Sequence, residues 1–149
     1  MHKRLVLAVF GLVLLALAAQ PARAQFDKAK DVARYLEKKH DYKVEREESY
    51  LSAKHVDWLP VTLREYKGGI LLRGYTETTQ YDTDDLETLC NKLNYNSTAA
   101  RMYIDSENDL IFEAWFPGKF EEDRFGSLIE AWHNDTIGQS STIKSELGM

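Results

Sequence analysis

Val61-Thr62-Leu63-Arg64-Glu65-Tyr66, then Lys67-Gly68-Gly69, then Ile70-Leu71-Leu72-Arg73-Gly74-Tyr75-Thr76-Glu77: two runs of strand-forming residues joined by a glycine turn predict an antiparallel hairpin. A second hairpin follows, with Ala99 to Ile104, the polar turn Asp105-Ser106-Glu107-Asn108-Asp109, and Leu110 to Phe116, which Pro117-Gly118 ends. Three amphipathic segments surround the hairpins. Asp27 to His40 places Phe26, Ala29, Val32, Ala33 and Leu36 on one stripe. Thr83, an expected N-cap, opens a helix that buries Leu86, Leu89, Cys90 and Leu93, and Asn94, Asn96, Ser97 and Thr98 stop it. Phe120 to Asp135 buries Phe125, Leu128, Ile129 and Trp132. Between the first helix and the first hairpin, Tyr42, Val44 and Arg46 read as a short edge strand or as a loop. After Ile137 the composition predicts a frayed tail over 138–149.

The predicted order is α-(β)-β-β-α-β-β-α. Strands joined by short turns pair antiparallel, and three helices suffice to cover one side of a sheet. The expectation is therefore an α+β domain with an antiparallel sheet of four to five strands and three helices, spanning residues 25–137.

The first 24 residues stand apart. Lys3 and Arg4 precede the apolar run Leu5 to Ala19, and Ala22-Arg23-Ala24 supplies a small-residue cleavage pattern, which marks an export signal with a mature start at Gln25. Such a run would rise about 22 Å as a helix, short of the roughly 30 Å hydrocarbon core, so no stable membrane anchor is expected after cleavage. The full chain of 149 residues has a net charge of −5. Loss of Lys3, Arg4 and Arg23, with no acid among residues 1–24, makes the mature chain more acidic still. An acidic exported domain is a poor nucleic-acid ligand. The single cysteine, Cys90, permits no internal disulfide, and its helical neighbours predict burial.

Strand parity carries the functional expectation, because alternate side chains occupy opposite faces of a sheet. Val61, Leu63, Ile70 and Leu72, with Met102, Ile104, Leu110, Phe112, Ala114 and Phe116, are assigned to the helix side. The other side then receives Arg64, Tyr66, Arg73, Tyr75, Arg101, Tyr103, Ile111 and Trp115. Tyr, Trp and Arg are enriched at protein interfaces, and three arginines would give an acidic protein a locally positive face. The competing account is that aromatic residues favour strands and that arginine stems merely lie across them. On the first account the face binds a protein or peptide partner, or a second copy of the chain.

No spacing calls for a cofactor or metal. The alternating acids Asp105, Glu107 and Asp109 would place Leu110 and Phe116 where a calcium loop needs Gly and Glu. His40, His55 and His133 share no metal-ligand spacing. There is no nucleophile elbow and no phosphate-cradling loop. The alternative to a binding module is a small cell-envelope enzyme using carboxylates such as Glu45, Glu47 and Glu48 with His133 or His55. His133 beside Asp135 reads as a charge arrangement at a helix end.

Over Asn91-Lys92-Leu93-Asn94 through Phe116, and again at Leu128-Ile129-Glu130-Ala131-Trp132-His133-Asn134-Asp135, the sequence resembles the bacterial YbjN-domain family of sensory transduction regulators. Asn91 and Asn94 match an Asn-x-x-Asn-like element at the end of a helix, the acidic turn and apolar strand follow it, and Trp132 matches an aromatic residue closing the last helix. The resemblance spans roughly residues 26–137. It implies a type III secretion chaperone-like fold of order α-β-β-β-α-β-β-α and a non-enzymatic protein-binding or regulatory role, with no catalytic residue to carry over. Two features depart from the family: the entry to the last helix is Pro117-Gly118-Lys119-Phe120 rather than Gly-rich, and the chain carries an export leader. Together with the leader, the resemblance implies the bacterial periplasm.

Overall fold

The computed structural model describes residues 26–148; the expected export leader lies outside the described residues. The elements run in the order α1 (Ala29–Lys39), β1 (Lys43–Arg46), β2 (Tyr50–Lys54), β3 (Val61–Tyr66), β4 (Gly69–Thr76), α2 (Thr83–Asn96), β5 (Arg101–Ile104), β6 (Leu110–Phe116), α3 (Glu122–Gly138) and α4 (Ser140–Glu146). All six strands form one antiparallel sheet of order β1-β2-β3-β4-β6-β5. The expected class is correct. The sheet has six strands rather than four to five, because β1 and β2 both form.

Hairpin formation explains the centre of the sheet. Lys67 and Gly68 take φ of 48° and 72°, the left-handed conformations that a tight strand-to-strand turn needs. Gly69 then opens β4 where a Cβ would collide with the Phe116 carbonyl oxygen. The chain leaves β4 through α2, places β5 at the sheet edge, and returns as β6 into the slot between β4 and β5.

One side of the sheet carries the helices. Leu51, Leu63, Leu72, Met102, Leu110 and Phe112 interlock there with Val32 and Leu36 of α1, Leu89 and Leu93 of α2, and Phe125, Ile129 and Trp132 of α3. Burying each such large apolar side chain contributes about 1.5–3 kcal/mol. Cys90 joins this core, as its spacing predicts, and burial pushes its thiol pKa up to about 11.

Three local readings are corrected. The N-cap of α2 is Asp82, whose carboxylate accepts from Asp84 N–H at 2.9 Å, while Thr83 donates its hydroxyl to Asn108 Oδ1. Residues 140–146 form α4 instead of a frayed tail: Ile143 enters the core, buried Gln139 donates to Ser97 Oγ at 2.8 Å, and Lys92 pairs with Glu146. Asp135 does more than balance charge at a helix end. It is 7% exposed, and its carboxylate accepts from the backbone N–H groups of Thr98, Ala99 and Ala100 at 2.7–3.0 Å.

That carboxylate ties α3 to the chain entering β5, and Asn94 ties α2 to β5 itself. Its side-chain amide accepts from Met102 N–H at 2.7 Å and donates to Met102 C=O at 2.8 Å, as a neighbouring strand would. The outer edge of β5 is thereby occupied at its centre, which blunts strand addition there. Among the described residues no helix is long and apolar enough to cross a membrane.

Candidate protein-binding face

The register arranges the side of the sheet opposite the helices in three rows. The first runs Tyr50, Arg64, Leu71 and Trp115 across β2, β3, β4 and β6. The second runs Glu45, Ser52, Thr62, Arg73, Glu113 and Arg101 from β1 to β5. The third holds Lys43 and Lys54 at one side and Tyr75, Ile111 and Tyr103 at the other. Tyr66 lies beyond the first row, opposite Gly69. All eight residues that parity assigns to this side are on it. Tyr50, Lys54, Thr62, Leu71 and Glu113 share it and carry the same parity signal.

Common placement is not common availability. Tyr75 is the most open ring at 64% exposure, followed by Trp115 at 47%. Ile111 is 2% exposed and so offers no contact surface, because Tyr75 and Tyr103 flank it across the strands; Leu71 is likewise buried. Tyr103 is half-buried: its hydroxyl donates to Glu113 Oε2 at 3.0 Å, and the guanidinium groups of Arg73 and Arg101 lie 5.9 and 5.7 Å from its ring centre. Burial first, and then the Glu113 carboxylate, raise the Tyr103 phenol pKa against the pull of the two arginines. Trp115 donates its indole N–H to the Tyr66 carbonyl at 3.1 Å, which pins its ring over Gly69.

The charge pattern is equally graded. Glu113 stands between Arg73 and Arg101 in the register, and Asp105 reaches Arg73 at 3.9 Å, so acidic neighbours flank two of the three arginines. Arg64 differs. It lies 5.5 Å from the Tyr66 ring centre, and among the described residues no carboxylate pairs with it. A shallow groove of about 390 Å³ opens between Arg64, Arg73 and Tyr75 and the acidic turn of Asp105, Glu107 and Asp109. In that turn Asp105 Oδ1 accepts from the N–H groups of Glu107 and Asp109, so the carboxylate closes the hairpin.

On the helix side the structure gathers residues that the sequence leaves 15 and 78 positions apart. His40 at the end of α1, His55 after β2 and His133 of α3 surround Trp58. The His133 ring stacks on the indole at 3.4 Å between centres, and Tyr42 packs edge-on to both His55 and Trp58. His55 Nδ1 accepts from Asp57 and Trp58 N–H at 3.0 and 3.2 Å, and the hydroxyl of Tyr35 lies 3.3 Å from His40 Nε2. Burial lowers the pKa of His40 and of His133; the neighbouring histidines add to the effect. Among the described residues no histidine, cysteine and carboxylate group assembles that could hold a metal ion. Asp135, bonded to the backbone before β5, is not arranged as a partner for His133.

No family model matches the chain, and no curated protein matches it in sequence. Solved structures do. The fold is similar to that of YbjN from E. coli, a proposed transcription regulator, with TM-score 0.60 at 10% identity over 72% of this chain and 84% of that one. An uncharacterized protein from Methanothermobacter thermautotrophicus matches with TM-score 0.58 at 11% identity, over 79% of this chain and 97% of that one. A chain of the heterodimeric ExoU–SpcU complex from the type III secretion system of Pseudomonas aeruginosa matches with TM-score 0.50 at 13% identity, over 69% and 89%. The helix-backed six-stranded sheet is therefore a YbjN-like, type III secretion chaperone-like fold.

Proposed function

We propose that the chain is an exported, non-enzymatic protein- or peptide-binding module of the bacterial periplasm, and that it meets its partner through the helix-free side of the sheet. The observation that carries this reading is the combination on one face of open aromatic rings, Tyr75 and Trp115, with an arginine, Arg64, that lacks an acidic partner within the described residues. Rings supply contact area at low entropic cost, and an unpaired guanidinium is free to take a carboxylate or carbonyl from a partner. The likeness to a chain from a heterodimeric complex supports a protein as the partner class. Export rests on the leader, Lys3 to Ala24.

The test is a double substitution, Arg64→Ser with Tyr75→Ser, both at exposed positions. Affinity capture from the envelope fraction should recover a partner with the parent chain and lose it with the variant, while far-ultraviolet circular dichroism stays unchanged. Equal recovery by both chains would place binding elsewhere. Partner recovery replaced by a concentration-dependent dimer that the substitution dissolves would make the occupant a second copy.

A further inference from the structure

We infer that the loop between β2 and β3 is a pH-sensitive latch, closed at neutral pH by the histidine cluster around Trp58 and opened when those imidazoles take up protons. Three independent contacts hold it shut. His55 Nδ1 folds the loop by accepting the N–H groups of Asp57 and Trp58, which only an imidazole without a proton on that nitrogen can do. His133 stacks on Trp58 with its own Nδ1 buried and unpartnered, so a proton there would add an uncompensated charge. His40 packs on Trp58 from α1.

The charged surroundings do not neutralise the cluster. From α1 and its exit come Tyr35, His40, Asp41 and Tyr42; from the loop, His55 and Asp57; from α3, Glu130 and His133. Glu130 and Asp41 favour charge on His40 but are outweighed there by burial. At His133 the nearby titrating groups are the other two histidines, which oppose its charging. Protonation of one imidazole therefore works against the next. The loop also contributes Pro60, beside Lys54, to a hollow on the outer face with Thr62, Arg73 and Tyr75, so its release reshapes one margin of that face.

Amide hydrogen exchange, corrected for the intrinsic effect of pH, reads the latch directly. Between pH 7.5 and pH 5, protection of the Asp57 and Trp58 amides should fall once pH drops below 6.5, by about tenfold per pH unit for each proton taken up on opening, and their exchange should be nearly independent of low urea, whereas exchange of the buried Leu72 amide in β4, which needs global unfolding, should accelerate with urea. In the variant His40→Gln, His55→Asn, His133→Phe, an oxygen acceptor, a ring and an amide replace the titrating groups, and protection at 57 and 58 should not vary with pH. If that variant fails the circular dichroism check, His133→Phe alone should reduce the slope by one proton. Invariant protection in the parent chain, the same loss in the variants, or a urea dependence of exchange at 57 and 58 equal to that of Leu72 would overturn the inference.

Discussion

Replacing Asp135 by Ala removes the acceptor for three consecutive N–H groups, those of Thr98, Ala99 and Ala100. The Ala100 amide is buried and would lose its partner outright, at about 1–3 kcal/mol; the other two are partly reached by water and lose about 0.5–1.5 kcal/mol each. The sum is about 2–6 kcal/mol, with a centre near 4 kcal/mol. Asp135→Asn separates charge from geometry. An amide oxygen at the position of Oδ2, which accepts from all three N–H groups, keeps the contacts but not their charge assistance, so about 1–2 kcal/mol should go. Urea unfolding followed by tryptophan fluorescence measures both, and the Ala variant should also melt roughly 15 °C lower for a domain of this size. An Ala variant within about 1 kcal/mol of the parent, or an Asn variant as damaged as the Ala variant, would refute the assignment of Asp135 as the tie between α3 and β5.

Three other substitutions or conditions are diagnostic. A Cβ at Gly74 would approach Leu59 Cδ2 to 2.7 Å, the Pro60 carbonyl oxygen to 3.0 Å and Trp132 Cζ2 to 3.1 Å; Gly74→Ala should therefore cost about 1–3 kcal/mol in urea unfolding. His40 and His133 have pKa values below the ordinary 6.5, so the unfolded chain binds more protons as pH falls through 6.5, and the unfolding midpoint should drop over that window and level off once the folded histidines also charge. A midpoint that rises on acidification would show that the imidazoles are charged in the folded chain. Cys90, buried with its thiol raised to about 11, should react with a thiol reagent at pH 8 at least about a hundredfold more slowly than an exposed cysteine, and reach the exposed rate in urea.

Much of the fold is legible because its signals are local. Alternation and the Lys67-Gly68-Gly69 turn define the first hairpin, and the same parity puts all eight chosen residues on the side away from the helices. Strand β2 is hidden because only Leu51 and Ala53 of its five residues are buried and it follows Glu47 and Glu48; pairing with β3 makes it a strand. Helix α4 has a sequence of weak intrinsic preference, and its order comes from Ile143, Gln139 and the Lys92–Glu146 pair, all tertiary contacts. Parity also says nothing of depth. Ile111 shares the outer side with Tyr75 yet is covered, since its flanking residues carry large rings. The histidine cluster is invisible in the sequence for a different reason: its members lie on three separate elements, and the geometry that joins them is built by Trp58.

Recognition by the helix-free face is tested most directly by crosslinking in living cells from a photoreactive side chain at Tyr75, with the same group at Tyr95 as control. Tyr95 is 89% exposed but belongs to α2, on the helix side of the sheet. Capture of one discrete protein from position 75 and none from 95 is the expected result. Capture at both positions alike, or from 95 alone, would contradict the assignment of the partner to the open sheet.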